Sequence, residues 1–66
     1  MTINVNNKSQ SITENSSVSS LLVQLDIVAN GIAVAINNDI ISKEEWSKRF
    51  LQQEDQVTII QATQGG

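Results

Sequence analysis

The chain has 66 residues, 39% of them hydrophobic, a formal net charge of −3, and neither cysteine nor histidine. A domain of this size buries only about 60% of the surface that its unfolded chain exposes. With no disulfide to staple it and the commonest metal ligand missing, one apolar core must carry its stability.

The four basic residues Lys8, Lys43, Lys48 and Arg49 form no run that could neutralise a phosphate backbone, which argues against nucleic acid. Without His or Cys, histidine acid–base pairs and thiol nucleophiles are excluded. The seven carboxylates would need a cleft that so small a domain has little room for. The chain is therefore not expected to be an enzyme.

In chain order, Ile3 and Val5 alternate with Thr2, Asn4 and Asn6, the period of a half-buried strand. Asn6-Asn7-Lys8 supplies turn chemistry, because asparagine tolerates left-handed backbone. Ser9 to Thr13 is expected to return as a second strand with Ile12 as its inward anchor. Glu14-Asn15-Ser16-Ser17 opens a helix, with Ser16 or Ser17 as cap. Val18, Leu21, Leu22 and Leu25 then follow at i, i+3, i+4 and i+7 and form one apolar stripe, read as core.

Asn30-Gly31 leads into Ile32-Ala33-Val34-Ala35-Ile36, an unbroken apolar run expected to be a strand buried on both faces. Asn37-Asn38-Asp39 turns the chain, and Ile40-Ile41 is expected to pack back down. Ser42 and Glu45 have the spacing of a capping box, with Ile41 and Trp46 placed for a hydrophobic staple. A short helical turn is expected from Lys43, with Trp46 and Phe50 closing the end of the core. Leu51 is expected in a short edge strand, Glu54-Asp55-Gln56 in a turn, and Val57-Thr58-Ile59-Ile60-Gln61 in the last strand. If Val57 and Ile59 face inward, Thr58 and Ile60 face the other side of the sheet, where Ile60 is a candidate for a partner-binding patch.

These elements predict an α+β fold, a mixed sheet of four to five strands packed on one main helix, with the last strand central. The crossover helix lets the first and last strands pair in parallel. Residues 1–61 are expected to form the domain and 62–66 a flexible carboxyl-terminal tail ending in Gly-Gly, since nothing after Ala62 has an apolar side chain to anchor it. No apolar run approaches the ~20 residues of a membrane span. The opening MTINVNNKSQ lacks the basic-then-apolar layout of a secretory signal. A soluble, cytoplasmic setting is expected, and cysteine-free composition suits a reducing compartment.

The ending QATQGG is the segment that folding does not explain. Two terminal glycines arise by chance in about 0.5% of chains. Gly65 and Gly66 make a thread without side chains, and five residues beyond Gln61 can extend about 16–18 Å, far enough to enter another protein's active site. The special functional group is then the α-carboxylate of Gly66, ionised at neutral pH. It is a weak nucleophile and a poor electrophile until a partner activates it, for which an acyl-adenylate would serve.

The stretches INVNN, VSSLLVQLD, IAVAINNDIISKEEW and EDQVTIIQATQGG cover almost the whole chain. Together they resemble the ubiquitin-like β-grasp family and, within it, the ThiS-type sulfur carriers of thiamin biosynthesis. Family members often carry Gly-Asp before the last strand, where this chain has Glu54-Asp55.

The resemblance implies that a ThiF-like adenylating enzyme activates Gly66 with ATP and Mg, neither of them bound by the chain itself. A persulfide, supplied ultimately by a cysteine desulfurase, would replace the adenylate and leave a thiocarboxylate. A ThiG-like thiazole synthase would then take the sulfur. Thr63, Gln64, Gly65 and Gly66 would thread into the partner, and Thr58, Ile60 and Ala62 would form the partner-binding face. The competing readings are the small subunit of molybdopterin synthase, a ubiquitin-like modifier that forms isopeptide bonds, and a plain interaction domain.

Overall fold

The computed structural model describes residues 1–61; the expected tail, 62–66, lies outside the described residues. β1 (Thr2–Val5) buries Ile3 and Val5, as its alternation requires, and returns through Asn6-Asn7 into β2 (Lys8–Ser11). Both turn residues are left-handed, with φ of 51° and 69°, the type I′ geometry whose twist matches that of paired strands. Ile12 is buried just past β2, and its N–H donates to the Met1 carbonyl at 2.8 Å. The expected anchor is correct, and the strand stops one residue before it.

α1 (Val18–Gln24) starts at Ser17, whose Oγ accepts the Ser20 N–H at 3.1 Å. The free N–H groups of Val18 and Ser19 donate to the carbonyls of Arg49 and Trp46. Those carbonyls satisfy two of the four donors that a helix start leaves unpaired. At the other end, Asp26 takes φ 58°, the Ile27 N–H donates to the Leu22 carbonyl and the Asp26 N–H to the Val23 carbonyl. This is a Schellman stop. Val18, Leu21 and Leu22 are buried and Leu25 packs against them, so the predicted stripe is core.

β3 (Ile32–Ile36) and β4 (Asp39–Ile41) form a second hairpin through Asn37-Asn38, again with both residues left-handed. β3 has a neighbour on each edge but is buried on one face alone. Val34 and Ile36 point to the helix, whereas Ala33 is exposed and Ala35 half-buried. The unbroken apolar run concealed this, because alanine is small enough to stand on either side. Only Ile41 of the Ile40-Ile41 pair packs down; Ile40 is 76% exposed.

After β4 comes a 3₁₀ turn, Lys43–Glu45. The expected capping box is not formed. The Glu45 N–H donates to the Ser42 carbonyl at 2.9 Å, so the three-residue backbone ring takes the donor that the Ser42 hydroxyl would have used. Ile41 and Trp46 are both buried, joined by the indole N–H donating to the Ile41 carbonyl at 3.0 Å. Phe50 does not close the core. It forms an isolated antiparallel bridge with Ser17 and stays 56% exposed, while Leu51 takes the inward position. Leu51 is thus anchored beside the helix start, its N–H donating to the Ser16 carbonyl, rather than in an edge strand.

β5 (Gln56–Gln61) enters the middle of a five-stranded sheet of order β2-β1-β5-β3-β4, parallel to β1 and antiparallel to β3. Its entry is set by Asp55. One carboxylate oxygen accepts the Gln52 N–H at 2.8 Å, and the other accepts the Asn37 side-chain amide at 3.1 Å. Asn37 completes the junction by accepting the Gln56 N–H through its own side-chain oxygen. The Glu54-Asp55 turn forms with Glu54 at φ 68°, the left-handed position that glycine adopts without cost.

Left-handed backbone costs an ordinary residue about 1–2 kcal/mol, part of which glycine returns through its looser unfolded state. Glu54→Gly is therefore expected to stabilise the chain by about 0.5–1 kcal/mol, raising the urea midpoint at unchanged slope. Asp55→Ala strands two donors beside a half-buried turn and should cost about 2–3 kcal/mol in the same measurement. Asp55→Asn, which keeps an acceptor, should cost less.

Candidate functional site

The sheet has two unlike faces. α1, Trp46 and Leu51 cover one, and the other is open along β5, β3 and β4. β5 turns Val57 and Ile59 toward the core and leaves Thr58 and Ile60 outside, as the alternation predicts. Thr58 lies opposite Ala35 and Ile60 opposite Ala33, while Ala35 also pairs with Ile40 of β4. The result is a shallow apolar surface in which Ile60, 58% exposed, and Ile40 stand above two alanines. Large side chains at 33 and 35 would bury the isoleucines between them; alanine leaves both available.

Ile40 was missed by the sequence reading. The signal was present, because once Ile41 is committed to Trp46 a strand period of two sends Ile40 to the opposite face. Ala62, Thr63, Gln64, Gly65 and Gly66 lie outside the described residues, and Thr58 and Ile60 are brought together at the end of the strand that leads to them.

The β1-side edge of β5 is finished near Gln61 by a side chain. β1 pairs with β5 at Asn4↔Gln56 and Val5↔Val57, and the Asn6 N–H donates to the Val57 carbonyl at 2.9 Å. There the main chain turns away into β2. The Asn6 amide continues in its place. Its oxygen accepts the Ile59 N–H at 2.8 Å, and its nitrogen donates to the Ile59 carbonyl at 3.2 Å. The sequence reading recognised Asn6 as a turn residue and could not see which strand its amide would reach, 53 positions away.

Next to this clamp, on the helix side, Val5, Asp26, Ile27, Ile32, Ile59 and Gln61 line an open hollow at the end of β5. Among the described residues there is no group of three or more side chains able to hold a metal ion, and no buried side-chain polar atom lacks a partner. The hydroxyls nearest the helix are occupied with local structure, Ser16 donating to the Thr13 carbonyl and Ser17 capping α1. What the described surface offers is a strand end paired on both edges, an open apolar face and a filled strand edge.

The ThiS family model matches residues 3–66. The sulfur carrier protein ThiS of Escherichia coli (strain K12) is 35% identical over 66 residues, covering 100% of both chains. The crystal structure of the thiamine biosynthesis protein ThiS from Geobacter metallireducens superposes with a TM-score of 0.88 at 25% identity, again over 100% of each chain. A solution structure of a thiamine biosynthesis protein from the same organism gives a TM-score of 0.81 at 23% identity, over 100% of this chain and 88% of that one, a likeness of fold. The mixed sheet with β5 at its centre and one crossover helix is thus the β-grasp arrangement, and the chain belongs to the ThiS family.

Proposed function

We propose that this chain is a sulfur carrier of thiamin biosynthesis, a protein co-substrate rather than a catalyst. The observation that carries the reading is the match to the ThiS family along residues 3–66, which include the Gly-Gly ending. The chemistry follows from the groups available. The Gly66 carboxylate is adenylated by a ThiF-like partner using Mg-ATP, and loss of pyrophosphate makes the adenylate. A persulfide sulfur attacks the activated carbonyl and AMP leaves. Reductive cleavage of the resulting acyl disulfide by a thiol then releases the thiocarboxylate. A ThiG-like thiazole synthase accepts the sulfur.

Residues 62–66 act as the thread, with Gly65 and Gly66 keeping it thin and Thr63 and Gln64 adding no chemistry of their own. Thr58, Ile60 and Ala62 belong to the docking face, extended by Ile40 and the two alanines of β3. A cytoplasmic setting suits a carrier whose sulfur would be lost to oxidants. Among the described residues, no helix is long and apolar enough to cross a membrane.

Intact mass after incubation with the adenylating enzyme, ATP and a persulfide donor is expected to show one oxygen replaced by sulfur, with no change in a chain lacking Gly66. An unchanged mass with an enzyme proven active on another carrier would sink the reading. Conjugates on a denaturing gel would point to a modifier, and transfer to the large subunit of molybdopterin synthase would point to that pathway. Ile60→Asp puts a poor strand former at an exposed position of the central strand, so stability should fall by about 1 kcal/mol, too little to unfold the chain. Affinity for the adenylating enzyme, measured by calorimetry, should fall at least about tenfold.

A further inference from the structure

We propose that Asn6 is a positioning residue for the reaction at Gly66, its side-chain amide holding β5 at Ile59, in the strand end that precedes residues 62–66 in sequence. The proposal rests on the carrier reading and adds to it a residue far from Gly66 in sequence.

β5 outruns its parallel neighbour. The register with β1 covers Gln56 and Val57, yet the strand continues to Gln61. Backbone groups alternate in direction along a strand, so the next N–H and C=O aimed at the β1 side are those of Ile59. Asn6 meets both, accepting at 2.8 Å and donating at 3.2 Å. A primary amide presents one donor and one acceptor in a plane, as a peptide unit does, and so can stand in for the next rung of the ladder. Aspartate offers acceptors alone, and a hydroxyl is too short to span both groups.

The turn by itself does not call for this side chain. At φ 51° glycine would serve as asparagine does, but only asparagine also carries an amide that reaches Ile59. The opposite edge of β5 is held by β3 as far as Ile32↔Gln61. With the clamp, the strand is held on its β1 side at Ile59 and on its β3 side through the register to Gln61; without it, the last described residues hang from β3 alone. Acyl transfer at Gly66 needs reacting atoms within about 3–3.5 Å, so holding β5 at Ile59 fixes the point from which the last residues have to reach. Ile60, between the clamp and the tail, also ties this base to the open face.

The test compares the full chain with Asn6→Gly, which keeps the turn and removes the amide, and with Asn6→Asp, which keeps an acceptor. Amide hydrogen exchange at Ile59 is expected to speed up about tenfold in Asn6→Gly while Val34 and Ile36 keep their protection. In sulfur loading by the adenylating enzyme, kcat should fall about three- to tenfold with KM for the chain within twofold, and Asn6→Asp should lie between. An unchanged kcat, or a loss in KM alone, would overturn the positioning role. Unaltered exchange at Ile59 would overturn the clamp itself, whatever the activity. Failure of the unsubstituted chain to gain sulfur would overturn the carrier reading and the clamp's part in loading, leaving exchange at Ile59 to judge the geometry separately.

Discussion

The structure depends on placing β5, the last described strand in sequence, at the centre of the sheet in space. It must find a parallel partner in β1 and an antiparallel one in β3, and close loops of some fifty and twenty residues to do so. Closing such loops costs entropy before any contact rewards it, so the pairing has to be strongly specified. The specification is local chemistry applied at a distance. Asn37 and Asp55 set where β5 enters, and Asn6 holds it near its exit.

Asparagine has two uses in this chain. Asn6, Asn7, Asn37 and Asn38 accept the left-handed angles of two type I′ turns, which β-branched or bulky residues resist. The first asparagine of each pair then turns its amide to the central strand. A glycine-based turn would give the same hairpins but leave β5 with unpaired backbone groups at both ends. The frequent asparagines that look merely polar in the composition are part of the sheet.

The two faces of the sheet divide the labour. One meets α1 and Trp46 and holds the core that a 66-residue chain needs to fold. The other is kept shallow by Ala33 and Ala35, so that Ile40 and Ile60 remain at the surface at little cost to stability. That economy suits a carrier that must be gripped and released by more than one enzyme. In the proposed reading the open face would supply contact area, and the clamped strand end direction.

Much of the fold was legible in one dimension, because period and turn chemistry are local. The alternation of β1 and β5, the helical stripe from Val18, the Asn turns and the outward Thr58 and Ile60 all follow from neighbours a few residues apart. Where competing local partners were on offer, sequence misjudged the outcome: Ser42 lost its capping box to a tighter backbone ring, Phe50 yielded the core to Leu51, and β3 proved covered on one face. The Gly-Gly ending, read directly, carried the chemical hypothesis. What tertiary structure alone decided is which distant groups meet, Asn6 with Ile59 and Asn37 with Asp55. A side-chain amide has no sequence signature for the strand it will complete; only the closed sheet brings the two within hydrogen-bonding distance.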